Sequence, residues 1–370
     1  MKRRQKAGPS PARLPIPPVA NPLQLGGIET SVLDEPPGRG VRIAWVNTGA
    51  GLRYKVVLDR GLDIVDADFA GQSLTWLSPG GVTPPDPVFC RDADWLSAFP
   101  GGLLTGCGPL NTGAPSRDAG RDWPLHGTHS HTPARDVVVV NPDPRTGRHD
   151  FSITGLIRTW RFFGAHIDLH RTIRGRLGRN VIAVEDVFTN QDDRPVEMAW
   201  LLHINFGYPL LEPGASEFCY CGTVRPRADS VEWFVEGRPF RKVPRPLAAH
   251  RGGGEVFAYV DPAASRDGQV LCGVVNRRRG LALSVRYNKR EFPRLGNWQH
   301  WGPSGAFVGA LEPMTGGVEG RHVDRQRGWL MTLPPGRQRR FTYQIAVSTD
   351  KADVRELLAL NARPTKIGRL

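Results

Sequence analysis

Three short segments of this sequence combine ionisable side chains with glycine and aromatic residues, and chemistry is expected there. The segments are LHGTHSH at 125–131, LHINFGYP at 202–209 and GALEPMT at 309–315. They offer imidazoles that can donate or accept a proton and one carboxylate that can accept one. If the fold brings them together, His126, His203 and Glu312 supply an acid, a second polarising imidazole and a base around one pocket.

This set of groups suits the opening and closing of a sugar ring. The anomeric hydroxyl must lose a proton while the ring oxygen gains one, so a positioned acid and a positioned base are both required. That chemistry needs neither a metal ion nor an organic cofactor. The sequence therefore predicts an enzyme without a cofactor, and its partner is a small sugar.

Each of these residues also has a structural alternative. A histidine within a strand, such as His203, is commonly a structural side chain, and Glu312 could pair with one of the many arginines. His126, His129 and His131 could converge on one metal ion, since imidazoles are common metal ligands. Against this, the run contains no carboxylate, and His129 and His131 would share a direction only in an extended segment. We therefore expect no metal site.

The elements that must position these segments are predicted to be mainly β-strands. Short runs rich in β-branched residues are separated by turns rich in Gly, Pro, Asn and Asp. Residues 351–361 alone have helical spacing, and the irregular stretch 79–133 is expected to form ordered loops. The predicted strands are 41–46, 53–58, 137–140, 150–157, 160–173, 180–189, 196–205, 255–260, 270–275, 281–287, 306–311, 327–333 and 340–348.

The composition is compatible with one large antiparallel β domain. In 370 residues there are 43 Gly and 33 Pro, and 39% of the residues are hydrophobic, which suits short strands and many turns. We expect a disordered basic and Pro-rich arm over 1–22, a single domain over 23–350 and a C-terminal helix and tail over 351–370.

The net charge of +13 first suggests a polyanionic partner such as nucleic acid. Because the arginines are scattered rather than clustered, surface charge is the better interpretation, and no nucleic acid is expected. The five cysteines are odd in number and lack zinc-ribbon spacing, which favours a reduced, cytoplasmic protein. Prolines interrupt the apolar run that a secretion signal would need, and no stretch is long enough to span a membrane. The oligomeric state stays open.

Taken together and in order, several segments resemble the galactose mutarotase-like superfamily, and most closely its aldose 1-epimerase-like branch, the DUF4432 family. The resemblance runs from about residue 53 to residue 348 and implies a galactose mutarotase-like β-sandwich with few short helices. It also implies an aldose 1-epimerase-like isomerase. The carrying segments are DRGLDI at 59–64, Trp95, FPGGLLTGCG at 99–108, NTGAP at 111–115, LHG at 125–127, HINFGYPLL at 203–211 and LEP at 311–313.

The resemblance also implies a role for each matching residue. His126 would bind or polarise the sugar near its ring oxygen, His203 would be the general acid that protonates that oxygen, and Glu312 would be the general base at the anomeric hydroxyl. Three further residues would contribute to substrate binding, and they are Arg60, Asp63 and Asn111.

The sequence departs from the mutarotase pattern between the second histidine and the glutamate. Mutarotases usually have an aspartate there that binds sugar hydroxyls, whereas this chain has YNKR at 287–290 and NWQHW at 297–301. Trp298 is expected to stack on a sugar face and His300 to replace a polar contact. The departure keeps two alternatives open: an isomerase or lyase acting on a keto, deoxy or oxidised sugar, and a non-catalytic carbohydrate-binding protein that relies on Trp95, Trp298 and Trp301.

Overall fold

The computed structural model of the protein describes residues 18–363 and 365–370. The expected arm over 1–22 falls mostly on residues 1–17, which lie outside this described part. The chain is built from strands joined by turns, with two α-helices, α1 (Arg321–Gln326) and α2 (Lys351–Asn361), in the described residues. No helix in 18–363 or 365–370 is long and apolar enough to cross a membrane.

The strands follow one another along almost the whole described chain, which confirms the prediction of an all-β protein. They are β1 Gly27–Val32, β2 Arg42–Asn47, β3 Leu52–Val57, β4 Asp63–Phe69, β5 Gln72–Ser73, β6 Thr105–Cys107, β7 Ser116–Asp118, β8 Arg121–Trp123, β9 Arg135–Val140, β10 Asp150–Trp160, β11 His166–Arg176, β12 Val181–Asn190, β13 Val196–Met198, β14 Leu201–Phe206, β15 Ser216–Cys219, β16 Gly222–Pro226, β17 Val256–Pro262, β18 Gln269–Asn276, β19 Leu281–Asn288, β20 Arg294–Trp301, β21 Phe307–Met314, β22 Met331–Leu333, β23 Gln338–Ser348 and β24 Lys366–Ile367.

Three sheets make up the body of the molecule. The first has the order β1-β2-β3-β4-β5, the second β15-β18-β19-β23-β12-β11-β10-β9, and the third β24-β16-β17-β20-β21-β14-β6. One continuous hydrophobic core contains side chains from all three, for example Tyr54, Val184 and Leu311. The sheets therefore pack face to face as a sandwich.

The alternation of the sequence explains which face each strand buries. In β12 every second residue is buried, from Ile182 to Asn190, while the residues between are half exposed. Such alternation places one face of the sheet on the core and the other towards solvent.

The third sheet, which we call the site sheet, has apolar side chains on both faces. Leu202, Ile204 and Leu311 point into the main core. Leu201 and Met314 point the other way, into a second apolar cluster. That second face is covered by the irregular stretch predicted as ordered loops, and Trp95 and Leu125 of this stretch pack against it. The functional residues lie between the site sheet and this covering stretch.

Several elements correct the predictions from sequence: β1, β15 and β16 were not predicted, and the strand expected over 160–173 begins at His166. Strand β20 was not predicted, because its inward positions include the amides Asn297 and Gln299, which hide the apolar alternation. Both amides are fully buried, and Gln299 donates to the carbonyl oxygen of Phe240 at 2.9 Å. The strand expected over 327–333 is only β22 (331–333), because residues 327–330 form a turn and an irregular segment after helix α1, which ends at Gln326.

Candidate functional site

The central pair of the site comes from the register of two neighbouring strands. Strands β14 and β21 are antiparallel, with Leu201 opposite Met314 and Ile204 opposite Leu311. The same register sets His203 opposite Glu312. Because side chains alternate along a strand, both point to the covered face of the site sheet rather than into the main core. The Nε2 atom of His203 lies 3.4 Å from Oε1 of Glu312.

Glu312 has no basic partner other than this histidine. Its side chain is 2% exposed, and within residues 18–363 and 365–370 no arginine or lysine nitrogen lies within 4.0 Å of its carboxylate. The alternative that Glu312 simply pairs with an arginine is therefore wrong. A buried carboxyl group without a cation is costly to ionise, so its protonation state depends on the site itself.

Burial shifts the pKa values of Glu312 and His203 in opposite directions. It raises the pKa of Glu312 to about 8, helped by the negative charge of Glu255 and opposed by Arg227. Burial lowers the pKa of His203 to about 4, against smaller opposing effects of Asn205 and Glu255. Between about pH 4 and about pH 8, Glu312 is protonated and His203 is neutral, so the pair carries one titratable proton in total. It therefore contains one group that can donate a proton and one that can accept one.

His126 reaches the pair from the covering loops. Its backbone has φ 57°, and the next residue is Gly127 with φ 74°, so the chain turns sharply and presents the ring. The ring packs 4.7 Å from Trp95 and meets the ring of His203 edge-on at 5.6 Å between centroids. Burial and, to a smaller extent, the neighbouring imidazole of His203 lower the pKa of His126 to about 3.

One hydrogen bond fixes the tautomer of His126. Its Nδ1 atom accepts from the backbone N–H of Gly113 at 3.3 Å. In a neutral imidazole the other ring nitrogen then carries the hydrogen. Nε2–H of His126 is therefore a hydrogen-bond donor.

Aromatic rings surround the imidazoles. Trp95 and Phe99 are stacked at 4.5 Å, and Phe99 lies 5.5 Å from the ring of His203. On the other side Trp298 lies 5.5 Å from the same imidazole. Trp298 is partly exposed, as expected of a ring that is available to stack on a ligand. These rings enclose the pair with apolar faces, which shield it from solvent.

Two charged residues at the rim were not found by sequence reasoning. Glu255 accepts from the indole N–H of Trp298, and the guanidinium of Arg227 donates to Glu255 at 2.9 Å and to Asp229 at 2.7 Å. Residues 227 and 255 are far apart in sequence. Only the pairing of β17 with both β16 and β20 brings them together, and no local motif signals that pairing.

The predicted substrate-binding residues differ in position. Trp298 lies beside the pair, whereas His300 is two residues further along the same strand face. The ring nitrogens of His300 lie 2.6 Å from the carbonyl oxygen of Ala306 and 3.0 Å from that of Gly253. The structure therefore brings Trp298 into the site, and it places His300 against backbone carbonyls beyond it.

Asn111, Arg60 and Asp63 contact protein groups around the site. Asn111 donates to the carbonyl oxygen of Pro124 at 2.6 Å, which ties together the two loops that flank His126. Arg60 donates to the carbonyl oxygens of Ser130 and Ala98. Asp63 accepts from the backbone N–H of Gly106 in β6. These contacts support the strands and loops that hold the pair, and the roles of the three residues towards a sugar stay predictions.

The three histidines of the HGTHSH run diverge. His126 faces His203, the Nε2 atom of His129 lies 3.4 Å from Oδ1 of Asp63, and His131 contacts the guanidinium of Arg60 at 3.3 Å. In the described part of the chain, no group of three or more His, Cys, Asp and Glu side chains is placed to hold one metal ion. The run therefore does not form one ligand set.

Comparison with solved structures identifies the fold. A proposed aldose 1-epimerase from Klebsiella pneumoniae subsp. pneumoniae matches with a TM-score of 0.83 and 23% identity over 93% of this chain and 90% of that chain. A galactose mutarotase-like protein from Clostridium acetobutylicum matches with a TM-score of 0.61 and 9% identity over 88% and 99%. Galactose 1-epimerase from Lactobacillus acidophilus matches with a TM-score of 0.56 and 11% identity over 87% and 98%.

These likenesses confirm the predicted galactose mutarotase-like sandwich. No curated protein matches the sequence. A family model described as a domain of unknown function, DUF4432, matches residues 38–347. Since that is most of the chain, this protein belongs to the DUF4432 family.

Proposed function

We propose that this protein interconverts the anomers of a sugar by general acid–base catalysis, as an aldose 1-epimerase does. The observation that carries the proposal is the contact between His203 and Glu312, 3.4 Å apart on adjacent strands, buried and without a competing cation. A structural ion pair would place an arginine on this carboxylate. In the described part of the chain, the only basic group within 4.0 Å of Glu312 is the imidazole of His203, and an imidazole and a carboxyl group can exchange a proton.

The reaction uses the single proton of the pair. With sugar bound, that proton moves from Glu312 to His203, a transfer that the separation of Oε1 and Nε2 allows. The Glu312 carboxylate removes the proton of the anomeric hydroxyl, and the bond between the anomeric carbon and the ring oxygen breaks. His203 gives its proton to the ring oxygen, and the anomeric carbon becomes an aldehyde. His126 donates a hydrogen bond to the ring oxygen throughout.

Ring closure reverses these steps on the other face of the aldehyde. After rotation about the bond between the first two carbons, His203 takes the proton back as the ring oxygen attacks. Glu312 returns its proton to the new anomeric hydroxyl. Charge and protons balance, and the pair ends with the one proton that it had at the start. Trp298 and Trp95 hold the apolar faces of the ring during the rotation.

The test is exchange NMR on a panel of free aldoses, which measures the rate of α/β interconversion with and without the protein. We expect faster interconversion for one sugar, and we expect Glu312→Gln to lose roughly 10²–10⁴-fold of that acceleration, because an amide cannot accept the proton. The matched control is Glu217→Gln, which removes a carboxylate that is paired with Arg277 and should leave the rate unchanged.

Measuring sugar affinity together with turnover distinguishes this proposal from its alternatives. Glu312→Gln should keep its affinity for the sugar while losing turnover. If the folded wild-type protein binds a sugar and accelerates no anomer exchange, the proposal is wrong, and the two alternatives left are a carbohydrate-binding protein and an enzyme that acts on a keto, deoxy or oxidised sugar. Loss of exchange on both Glu312→Gln and Glu217→Gln would likewise remove the special role of Glu312.

A further inference from the structure

One cavity, whose lining includes neither His203 nor Glu312, lies beside the loops that hold His126. Its volume is about 300 Å³, and its walls come from β8, the end of β10 and residues 108–111 and 128–132. Asn111 and Pro124 line it, and the hydrogen bond between them connects the two loops on either side of His126. We call it the arginine cavity.

The walls of the arginine cavity carry positive charge and no negative charge. Arg121, Arg158 and Arg161 line it, and none of its lining residues is Asp or Glu. Arg158 is neutralised by Asp168, to which it donates two hydrogen bonds of 2.7 and 2.8 Å. Within the described residues, Arg121 and Arg161 have no ion-pair partner within 4.0 Å.

Arg121 is held in place although it has no carboxylate partner. Its guanidinium lies 4.2 Å above the ring of Trp123, and its Nε atom is buried without a hydrogen-bond partner in the described chain. Burial lowers the pKa of Arg121, and the like charges of Arg161 and Arg321 lower it further. A stacked guanidinium with a free N–H edge is pre-organised to bind an oxyanion through two parallel hydrogen bonds.

Two carboxylates near this cluster, Asp118 and Glu197, are paired with other arginines. Asp118 accepts from Arg321 at 3.1 Å and from Arg325 at 2.8 Å, and Glu197 accepts from the same two arginines. Neither can turn to Arg121 without breaking those pairs. The positive charge in the cavity is therefore a stable feature of the fold, and an anionic ligand would offset its cost.

The remaining lining residues suit an organic ligand that carries such an anion. Thr128 and Thr159 provide hydroxyl groups, and Trp123 and Trp160 provide aromatic faces. A volume of about 300 Å³ is at the lower end of the range for small-molecule sites.

We propose that the arginine cavity is a second ligand site, which binds a tetrahedral oxyanion carried by a small polar molecule such as a sugar phosphate. Arg121 and Arg161 bind the phosphate or sulfate group, and the threonines and tryptophans contact the organic part. The site is distinct from the His203–Glu312 pair and does not depend on the function proposed for that pair.

The test is isothermal titration calorimetry at low salt with glucose 6-phosphate, inorganic phosphate and glucose. We expect glucose 6-phosphate to bind the wild-type protein, and we expect Arg121→Gln and Arg161→Gln each to raise its Kd about tenfold or more, the effect of one lost charge-assisted hydrogen bond. Arg161 is exposed, so its replacement does not threaten folding. The charge-matched control is Arg266→Gln, in the exposed turn between β17 and β18, which should bind as the wild type does.

The probes also identify what the site recognises. Inorganic phosphate that binds as tightly as the ester would support a site for the head group alone, whereas tighter binding of the ester would support contacts with the sugar. Glu312→Gln should bind glucose 6-phosphate normally. Loss of binding in Glu312→Gln, equal binding in Arg121→Gln and wild type, or no binding of either phosphate would overturn the proposal.

Discussion

Two buried groups of ionisable side chains lie on either side of β6, and their carboxylates have opposite surroundings. In the first, which we call the Arg171 cluster, the fully buried guanidinium of Arg171 donates to Asp186 at 2.7 and 3.0 Å and to Asp63 at 3.2 Å. Tyr343 also donates to Asp186, at 3.2 Å. In the second group, the imidazole of His203 is the only basic partner that Glu312 has among residues 18–363 and 365–370.

The difference separates a structural use of buried charge from a chemical one. In the Arg171 cluster every carboxylate has a cation and further hydrogen bonds, so the cluster joins β11, β12 and β23 to the loop before β4. Asp63 then accepts from Gly106, whose strand β6 pairs with β14 beside His203. The Arg171 cluster, in which each carboxylate has a cation, therefore supports β14, the strand that carries His203.

The largest effect is expected when the Arg171 cluster is broken. Arg171→Leu leaves the carboxylates of Asp186 and Asp63 buried without a cation, which should lower the free energy of unfolding by about 3–5 kcal/mol. Urea unfolding measures it. The control is Arg174→Leu on the same strand, which removes an exposed pair with Glu185 at 3.8 Å and should cost less than about 1 kcal/mol. Equal losses in the two variants would show that the cluster has no special structural role.

A change in stability of comparable size and opposite sign is expected when Glu312 is replaced. The pKa of this carboxyl group rises from 4.5 to about 8 on folding, so the folded protein holds a proton that the unfolded chain has lost. Its contribution to stability therefore falls as pH rises from about 4.5 to about 8, by about 1.4 kcal/mol for each pH unit. Glu312→Gln has no proton to lose, so its free energy of unfolding should exceed that of the wild type. This difference should grow as the pH rises to about 8.

Urea unfolding of both proteins at several pH values between 5 and 9 measures that gain. Glu217→Gln is again the matched control, because it removes a carboxylate that has an arginine partner and should show no gain that grows with pH. A Glu312→Gln protein that is less stable than wild type at pH 8 would mean that the carboxylate is satisfied in the folded state, and the contrast with the Arg171 cluster would disappear.

Much of the fold could be predicted from the sequence because most strands follow a simple alternation. Strands such as β12 and β23 bury one face, and their buried residues recur at every second position. Strand β20 escaped prediction because Asn297 and Gln299 replace apolar residues on its inner face. Only the tertiary structure provides the partners that make two buried amides acceptable there.

The candidate site was predictable in its residue types and not in its surroundings. The resemblance singled out His126, His203 and Glu312, and the strand register places the last two opposite each other. The absence of a cation beside Glu312, in the described residues, follows from contacts that no local spacing encodes. The same is true of Glu255 and Arg227, which reach the site through the pairing of distant strands.

The smallest effect is expected when Glu255 is replaced, because its charge acts on the pKa values of the pair from a distance. Its charge raises the pKa values of both Glu312 and His203. The wild-type profile of kcat/KM against pH should be flat between about 4 and about 8, since the pair then holds one proton. Above pH 8 the rate should fall because no proton remains to be donated, and below pH 4 it should fall because no base remains.

Glu255→Gln should move both limbs of this profile to lower pH by less than about one unit, since Glu255 is exposed and its field is screened by solvent. The amide can still accept from the indole N–H of Trp298, so the stacking ring stays in place. The matched control is Glu236→Gln, an exposed glutamate in the loop after β16, which should not shift the profile. A kcat/KM that rises above pH 8 would mean that ionised Glu312 acts while His203 carries no extra proton. The single proton held by the pair would then not be needed for the reaction, and the contrast with the Arg171 cluster would be lost.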